Sequence, residues 1–193
     1  MGSMEKTQLR TILSAVRADI ADRAQKDKLI FERLANFLRT EFPGIKTVFT
    51  YVSRGSEADT RRFVQCAAAS YALYYPQTVN GVMSAVQAAR YTDLHTDRYG
   101  NVNAAETRRG VSETAAGITV VPLLGFNESL YRIGYGKGCY DRYFERFPST
   151  VKIGLAYDEQ FCLFSPAAHD IPMDYIVTPA QIFRAPNAPY VFS

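Results

Sequence analysis

Residues 134–142 read Gly-Tyr-Gly-Lys-Gly-Cys-Tyr-Asp-Arg, three glycines alternating with Tyr135 and Lys137 ahead of a charged, aromatic run. A glycine backbone can come close to a bulky anion and point its N–H groups at it. A lysine in the same turn makes phosphate the expected anion. A helix starting at the end of the turn would add its positive end and its own N–H groups to the same point. The GxxxxGK[ST] spacing of a Walker A loop is absent, and the likeness to GxGxxG is loose. Taken alone, the stretch fits equally well a tight turn whose glycines serve positive φ and whose lysine is solvated.

The elements that must position this turn follow from apolar spacing. Leu9, Ile12, Leu13, Val16 and Ile20 recur at helical period, and so do Leu29, Ile30, Leu34, Phe37 and Leu38. Phe-Pro-Gly at 42–44 ends the second helix. The β-branched 45–52 segment predicts a strand, 60–70 a helix and 71–76 a second strand, the unit from which parallel sheets grow. Further strands are expected at 117–126, 151–157 and 174–178, the last of the chain, with a return helix over 140–147. Residues 82–114 suggest a hairpin with a mobile loop around 97–110. The expected fold is α/β: a single three-layer, Rossmann-like domain over 4–193, its mostly parallel sheet flanked by helices. Residues 1–3 read as an expression leader. In such a fold ligands bind beyond the carboxyl ends of the strands, where the glycine turn falls between a strand ending near Phe126 and the next helix.

Composition narrows the function classes. The 193 residues suit one domain with a proper core, and 47% hydrophobic with 21% charged residues is ordinary for a globular protein. A net charge of +3 is too small to imply nucleic-acid binding. Arg61, Arg62, Arg108 and Arg109 lack interleaved aromatics, so an RNA-binding reading has little support. No apolar run reaches membrane-spanning length, and no signal-peptide pattern opens the chain. Cys66, Cys139 and Cys162 have neither CxxC nor His-rich spacing, so no zinc site or disulfide framework is indicated, and a cytoplasmic location is expected.

"YRIGYGKGCYDRYFER" resembles the signature of the 5-formyltetrahydrofolate cyclo-ligases, also called 5,10-methenyltetrahydrofolate synthetases, whose pattern is roughly G-x-R-[LI]-G-x-G-x-G-[YF]-Y-D-x-[YF]. Three other stretches are similar to that family in the same order: "EKTQLRTILSAVRADI", "YVSRGSEADT" and "IGLAYDEQFCLFSPAAHDIPMDYIVT". "VVPLLGFN" also resembles its [VL]-P-G-[LV]-[AG]-F-D. The resemblance implies an ATP- and Mg²⁺-dependent enzyme that closes 5-formyltetrahydrofolate to 5,10-methenyltetrahydrofolate, releasing ADP and phosphate. The γ-phosphoryl of ATP would activate the formyl oxygen, and N10 would attack the resulting iminium phosphate. Such chemistry asks the protein to position two substrates and to neutralise charge in transfer.

The resemblance also assigns roles. Lys6 and Arg10, four apart and so on one helical face, would bind ATP with Arg132, Gly134, Gly136, Lys137, Gly138 and Tyr140. Lys137 and Arg132 would offset γ-phosphoryl charge. Asp141 and Asp170 would hold Mg²⁺ together with phosphates and water. Glu57 would accept N–H bonds from the pterin edge, with Val52, Tyr135 and Tyr140 lining the folate pocket. Without the resemblance, Lys6 and Arg10 are solvated cations, Asp141 a first-turn helix acid, His169 structural, and Glu57 an acid near a helix start capped by Asp59 or Thr60. The implied partner is the small-molecule substrate, with no nucleic acid or membrane, and a monomer is expected.

The sequence departs from the family pattern in places. No Glu-Pro falls near 99–106, Asn127 stands for an aspartate, Leu123 for a glycine and Cys139 for an aromatic. The nucleotide half looks intact, and divergence on the folate side leaves two alternatives. One is a binding paralogue without turnover; the other is an enzyme for a related pterin or formylated compound. Cys139 is expected to be a small buried replacement.

Overall fold

In the computed structural model, which describes residues 6–88, 107–111 and 116–189, strand residues alternate between two buried faces. Val48 of β1 (Thr47–Phe49) packs on one side of the sheet and Phe49 on the other. Ile153 and Leu155 of β8 (Val151–Leu155) share the face of Val48, as do Tyr175 and Val177 of β9 (Tyr175–Val177). Ile176 joins Phe49 on the opposite face. This period-two pattern, apolar on both sides, is what a sheet covered by helices on each face requires.

The eight strands of the main sheet run in the order β10-β9-β8-β5-β1-β2-β3-β4, with β2 at Ala72–Val79, β3 at Val82–Ala88, β4 at Thr107–Val111, β5 at Ile118–Pro122 and β10 at Ile182–Arg184. The inner pairings, from β9 to β2, are parallel, and antiparallel strands extend both edges. Helix α2 (Arg23–Glu41) lays Ile30, Leu34 and Leu38 on one face beside Phe63 and Val64 of α3 (Arg61–Ala67). Helix α4 (Cys139–Arg146) lays Tyr143 and Phe144 on the other. Each such buried side chain contributes roughly 1.5–3 kcal/mol to the core. The expected α/β fold with a mostly parallel sheet is the one observed.

Some expectations need correction. The 174–178 strand is not the last, because β10 follows and pairs with it. The 117–126 segment is broken: β5 ends at Pro122, and β6 (Gly125–Phe126) leaves the sheet to pair with β7 (Arg132–Ile133). Strand β2 runs three residues past Pro76 before turning through Asn80 (φ 50°) and Gly81 (φ 77°) into β3. Both turn residues have positive φ, the geometry that tight hairpins favour. Pro76 fits because β1 pairs with β2 only as far as Tyr74, so no neighbour there asks for its missing N–H. The expected 82–114 hairpin is present as the β3–β4 pair, but 107–110, expected in its loop, belong to β4, and 97–106 lie outside the described residues. In α1 (Lys6–Ala18) Ile12 and Val16 are 47% and 38% exposed, and the inward stripe is Leu9, Leu13 and Arg17.

Strand order reverses direction between β1 and β5. From β1 the chain crosses through α3 to β2 on one side, whereas β5 leads through α4 to β8 on the other. That switch point opens a crevice at the carboxyl ends of β1 and β5.

Candidate active site

A cleft of about 980 Å³ occupies this switch point, with Tyr51 and Val52 from the end of β1 and Pro122 from β5 on its floor. The glycine turn forms one wall and the amino-terminal turns of α1 face it. Every residue singled out in the sequence for nucleotide, metal or folate lines this single cleft.

The glycines differ in what they do. Gly136 (φ 88°) and Gly138 (φ 60°) have left-handed backbones that L side chains rarely adopt. A Cβ at Gly136 would also stand 3.1 Å from the Arg10 guanidinium carbon. Gly134 has negative φ and nothing within 4 Å of where a Cβ would sit, so its smallness leaves cleft space open. Gly138 is the N-cap of α4 and brings no side-chain cap to the first turn. Those N–H groups and the positive helix end therefore border the cleft beside Lys137, which is exposed on the turn.

The cations and acids of the cleft are ordered against one another. Arg10 Nε donates to the Gly134 carbonyl at 3.0 Å and ties α1 to the turn. Lys6, one helical turn earlier, ion-pairs with Asp170, whose carboxylate also accepts the Ala167 N–H at 2.6 Å. Burial works against the Asp170 charge, but the Lys6 and Ala167 hydrogen bonds outweigh it and hold the carboxyl below its usual range. Arg132, 8% exposed, donates to the Asp141 carboxylate at 2.9 Å and to the Ile171 carbonyl at 3.0 Å. Burial lowers the Arg132 pKa and Asp141 pulls the other way. The Ile171 N–H returns a bond to Asp141 at 3.2 Å, so the pair also pins the segment before Asp174. His169 has a side chain 76% exposed, at the cleft rim 4.0 Å from Asp170, and is not a packed structural histidine.

Two carboxylates on one cleft fit magnesium, which takes one or two protein acids and fills the rest with phosphate and water. Among the described residues no group of three or more His, Cys, Asp or Glu forms an all-protein metal cage.

Glu57, also on the cleft lining, accepts the Tyr135 hydroxyl at 2.7 Å on Oε1 and the Arg54 N–H at 2.9 Å on Oε2. At the helix start nearby, Asp59, one residue before the N-cap Thr60, accepts the Arg61 N–H at 2.8 Å and pairs with its guanidinium. Thr60 instead bonds the Tyr51 carbonyl at 2.9 Å. Capping therefore does not account for Glu57. Its charge is felt by the phenols around it. Tyr51 and Tyr140 are pushed well above the usual phenol range, first by burial and then by Glu57. Tyr135 is pushed up to about 12 by burial and Glu57, with Arg17 opposing. All three phenols keep their protons at neutral pH and present neutral, aromatic surface.

Sequence reasoning missed several residues of the cleft. Arg54, Arg142 and Glu145 line it, as do Pro76, Thr78 and Met83 of the β2–β3 hairpin. The Asn80-Gly81 pair was the available sign that this hairpin turns back toward the site. Arg17, beside the cleft and not on its lining, is hidden in the sequence because Ile12 and Val16 carry the apolar spacing of α1 onto its exposed face. The i, i+4 series Leu9, Leu13, Arg17 marks the buried face instead.

The departures resolve structurally where they are described. Asn127 accepts the Ser129 and Tyr131 N–H groups and donates to the Phe164 carbonyl at 3.1 Å, shaping the β6–β7 turn outside the cleft. Leu123 is core, and a Cβ at Gly154 would stand 2.8 Å from its Cδ2, so the two residues fit as a large–small pair. Cys139, expected to be buried, is only partly so: it is a free thiol that lines the cleft and packs beside Tyr140 against the core. Residues 99–106, where Glu-Pro is missing, lie outside the described residues.

The profile of the 5-formyltetrahydrofolate cyclo-ligase family matches residues 2–179. A 5-formyltetrahydrofolate cyclo-ligase of Mycoplasma genitalium is 27% identical over 178 residues, covering 90% of this chain and 98% of that protein. The solved 5,10-methenyltetrahydrofolate synthetase of Aquifex aeolicus superposes with a TM-score of 0.80 at 25% identity, over 98% of this chain and 97% of that one. That of Mycoplasma pneumoniae gives 0.73 at 25% identity, over 91% and 99%. Sequence and fold thus agree on one assignment: the chain belongs to the 5-formyltetrahydrofolate cyclo-ligase family of enzymes.

Proposed function

We propose that the cleft binds ATP and 5-formyltetrahydrofolate together and closes the folate ring at the expense of ATP, in one cytoplasmic, monomeric domain over 4–193. The observation that carries this is one cleft lined by both a phosphate-suited set and a pterin-suited set of residues. The first has the glycine turn, Lys6, Arg10 and Lys137; the second has Glu57 among Tyr51, Tyr135 and Tyr140. A volume near 980 Å³ lies at the upper end for ligand clefts, as two adjacent substrates require.

Triphosphate oxygens meet the N–H groups of the turn and α4, with Gly134 leaving room for close approach. Lys6 leaves Asp170 for the phosphates and Arg10 keeps the turn in place. Asp141 and Asp170 would then hold Mg²⁺, which when bound supplies charge neutralisation on the phosphates. Arg132 keeps Asp141 aimed and adds fixed positive charge. Glu57 orients the pterin, so that the N5-formyl oxygen faces the γ-phosphorus. That oxygen attacks phosphorus and ADP leaves, with Lys137 offsetting the charge in transfer. N10 then attacks the activated carbon and loses its proton. Phosphate departs with the former formyl oxygen, leaving the methenyl bridge.

The test is incubation with 5-formyltetrahydrofolate, Mg²⁺ and ATP while following the near-ultraviolet absorbance of the methenyl product. Absorbance should rise only when all three are present, with one phosphate released per methenyl group formed. Ligand binding without product would instead mark a binding paralogue, and ATP hydrolysis without methenyl formation would mark another substrate.

A further inference from the structure

Arg17 is a cation on the inward face of α1, 4% exposed and bonded to three separate segments beside the cleft, of which Tyr135 lines it. Its Nη1 donates to the Leu123 carbonyl at 3.0 Å, just past β5. Its Nε donates to Ser56 Oγ at 3.1 Å, on the loop that carries Glu57. Its Nη2 donates to the Tyr135 hydroxyl at 2.7 Å, on the glycine turn, with the guanidinium 5.6 Å from the center of that ring. Tyr135 in turn donates its one proton to Glu57 Oε1 at 2.7 Å. Arg17 has no acceptor to offer, so the order of donation is fixed: Arg17 to Tyr135 to Glu57.

The loop has a second anchor. Arg23 donates to the Ser56 carbonyl and the Tyr157 hydroxyl, both at 2.8 Å, and also to the Arg17 carbonyl. Tyr157 donates to Asp27, which accepts the Asp59 N–H at 3.0 Å. Arg23 thus braces the loop backbone from behind, whereas Arg17 alone reaches through to the group that meets Glu57.

Resting on Glu57 as the pterin acid, we propose that Arg17 is a positioning residue for folate: by holding the Tyr135 hydroxyl it fixes the rotamer of Glu57 and turns the remaining acceptor capacity of that carboxylate toward the cleft. A half-exposed tyrosine and a loop glutamate would otherwise sample several rotamers, and folate binding would bear the cost of ordering them.

The test uses Arg17→Met, which keeps a long apolar stem without donors, Tyr135→Phe, which removes only the hydroxyl, and the double variant. Active parent enzyme establishes the underlying reading first; inactive parent defeats that reading and leaves the positioning claim without a function to serve. In Arg17→Met the KM for 5-formyltetrahydrofolate should rise roughly ten-fold, the weight of one hydrogen bond to a charged group, with the KM for ATP unchanged. Tyr135→Phe should match it, and the double variant should be no worse than the larger single effect. Equal losses for both substrates, or losses that multiply in the double variant, overturn the proposal. If Arg17→Met fails to fold, Tyr135→Phe and Arg17→Lys decide: unchanged folate KM in Tyr135→Phe refutes it, and partial rescue by Arg17→Lys supports it.

Discussion

Replacing Glu57 by glutamine keeps the side chain's size and removes its charge and one of its acceptor oxygens. In the parent, Oε1 serves the Tyr135 hydroxyl at 2.7 Å and Oε2 serves the Arg54 N–H at 2.9 Å. A carboxamide can serve only one. With its oxygen on Arg54, its NH₂ meets a phenol that already accepts from Arg17, and the phenol proton loses its acceptor. Flipped, it sets NH₂ against the Arg54 N–H, donor against donor. In the free protein water relieves part of the mismatch, because Glu57 is half-buried, and stability should fall by only about 1 kcal/mol. In the complex the pterin excludes that water, and a group left unpaired there costs roughly 1–3 kcal/mol. Folate affinity should therefore drop by roughly ten- to a hundred-fold, since each 1.4 kcal/mol is a factor of ten. ATP affinity should stay put. Separate calorimetric titrations of parent and Glu57→Gln with each ligand read both numbers. Parent-like folate affinity in the variant would refute the reasoning.

Gly136→Ala places a Cβ on a backbone at φ 88° and 3.1 Å from Arg10, so it should cost about 1–2 kcal/mol of stability in a melt and raise the KM for ATP. Gly134→Ala meets nothing within 4 Å and should melt like the parent while still weakening ATP. Lys137→Ala should leave the fold intact and lower kcat/KM for ATP by roughly ten- to a hundred-fold; parent-like activity at low ATP defeats the phosphate reading. Asp141→Asn and Asp170→Asn should both raise the Mg²⁺ concentration needed for half-maximal rate. Asp141→Asn should also destabilise more, because it leaves the buried Arg132 without its ion pair. The depressed Asp170 pKa gives a pH signature: its contribution is full above the ordinary carboxylate value near ~3.9 and is lost as pH falls through the lower folded value. Melting temperatures of parent and Asp170→Asn should thus differ at neutral pH and converge at the acid end.

What the sequence disclosed, and what it hid, divides along physical lines. Continuous apolar, β-branched runs such as 118–121 and i, i+4 stripes such as Ile30, Leu34 and Leu38 record burial directly, so the parallel sheet and its helices were legible. The glycine turn was legible for the same local reason, since positive φ at Gly136 and Gly138 leaves a residue-type mark. Pairings across the chain leave no such mark. The Lys6–Asp170 and Arg132–Asp141 ion pairs join parts distant in sequence, and nothing local in either predicts the other. Arg17 was hidden twice: charge counts against burial in any pattern, and its partners Ser56, Leu123 and Tyr135 come from three other segments. The β6–β7 hairpin was hidden because its two-residue strands are too short for periodicity to show.

The proposed reaction turns on phosphoryl transfer to the formyl oxygen within this cleft. Supplying 5-formyltetrahydrofolate labelled with oxygen-18 in the formyl group, with Mg²⁺ and ATP, and analysing the released phosphate by mass spectrometry tests that step directly. One labelled oxygen should appear in the phosphate for each methenyl group formed. Methenyl product accompanied by unlabelled phosphate would contradict that reaction.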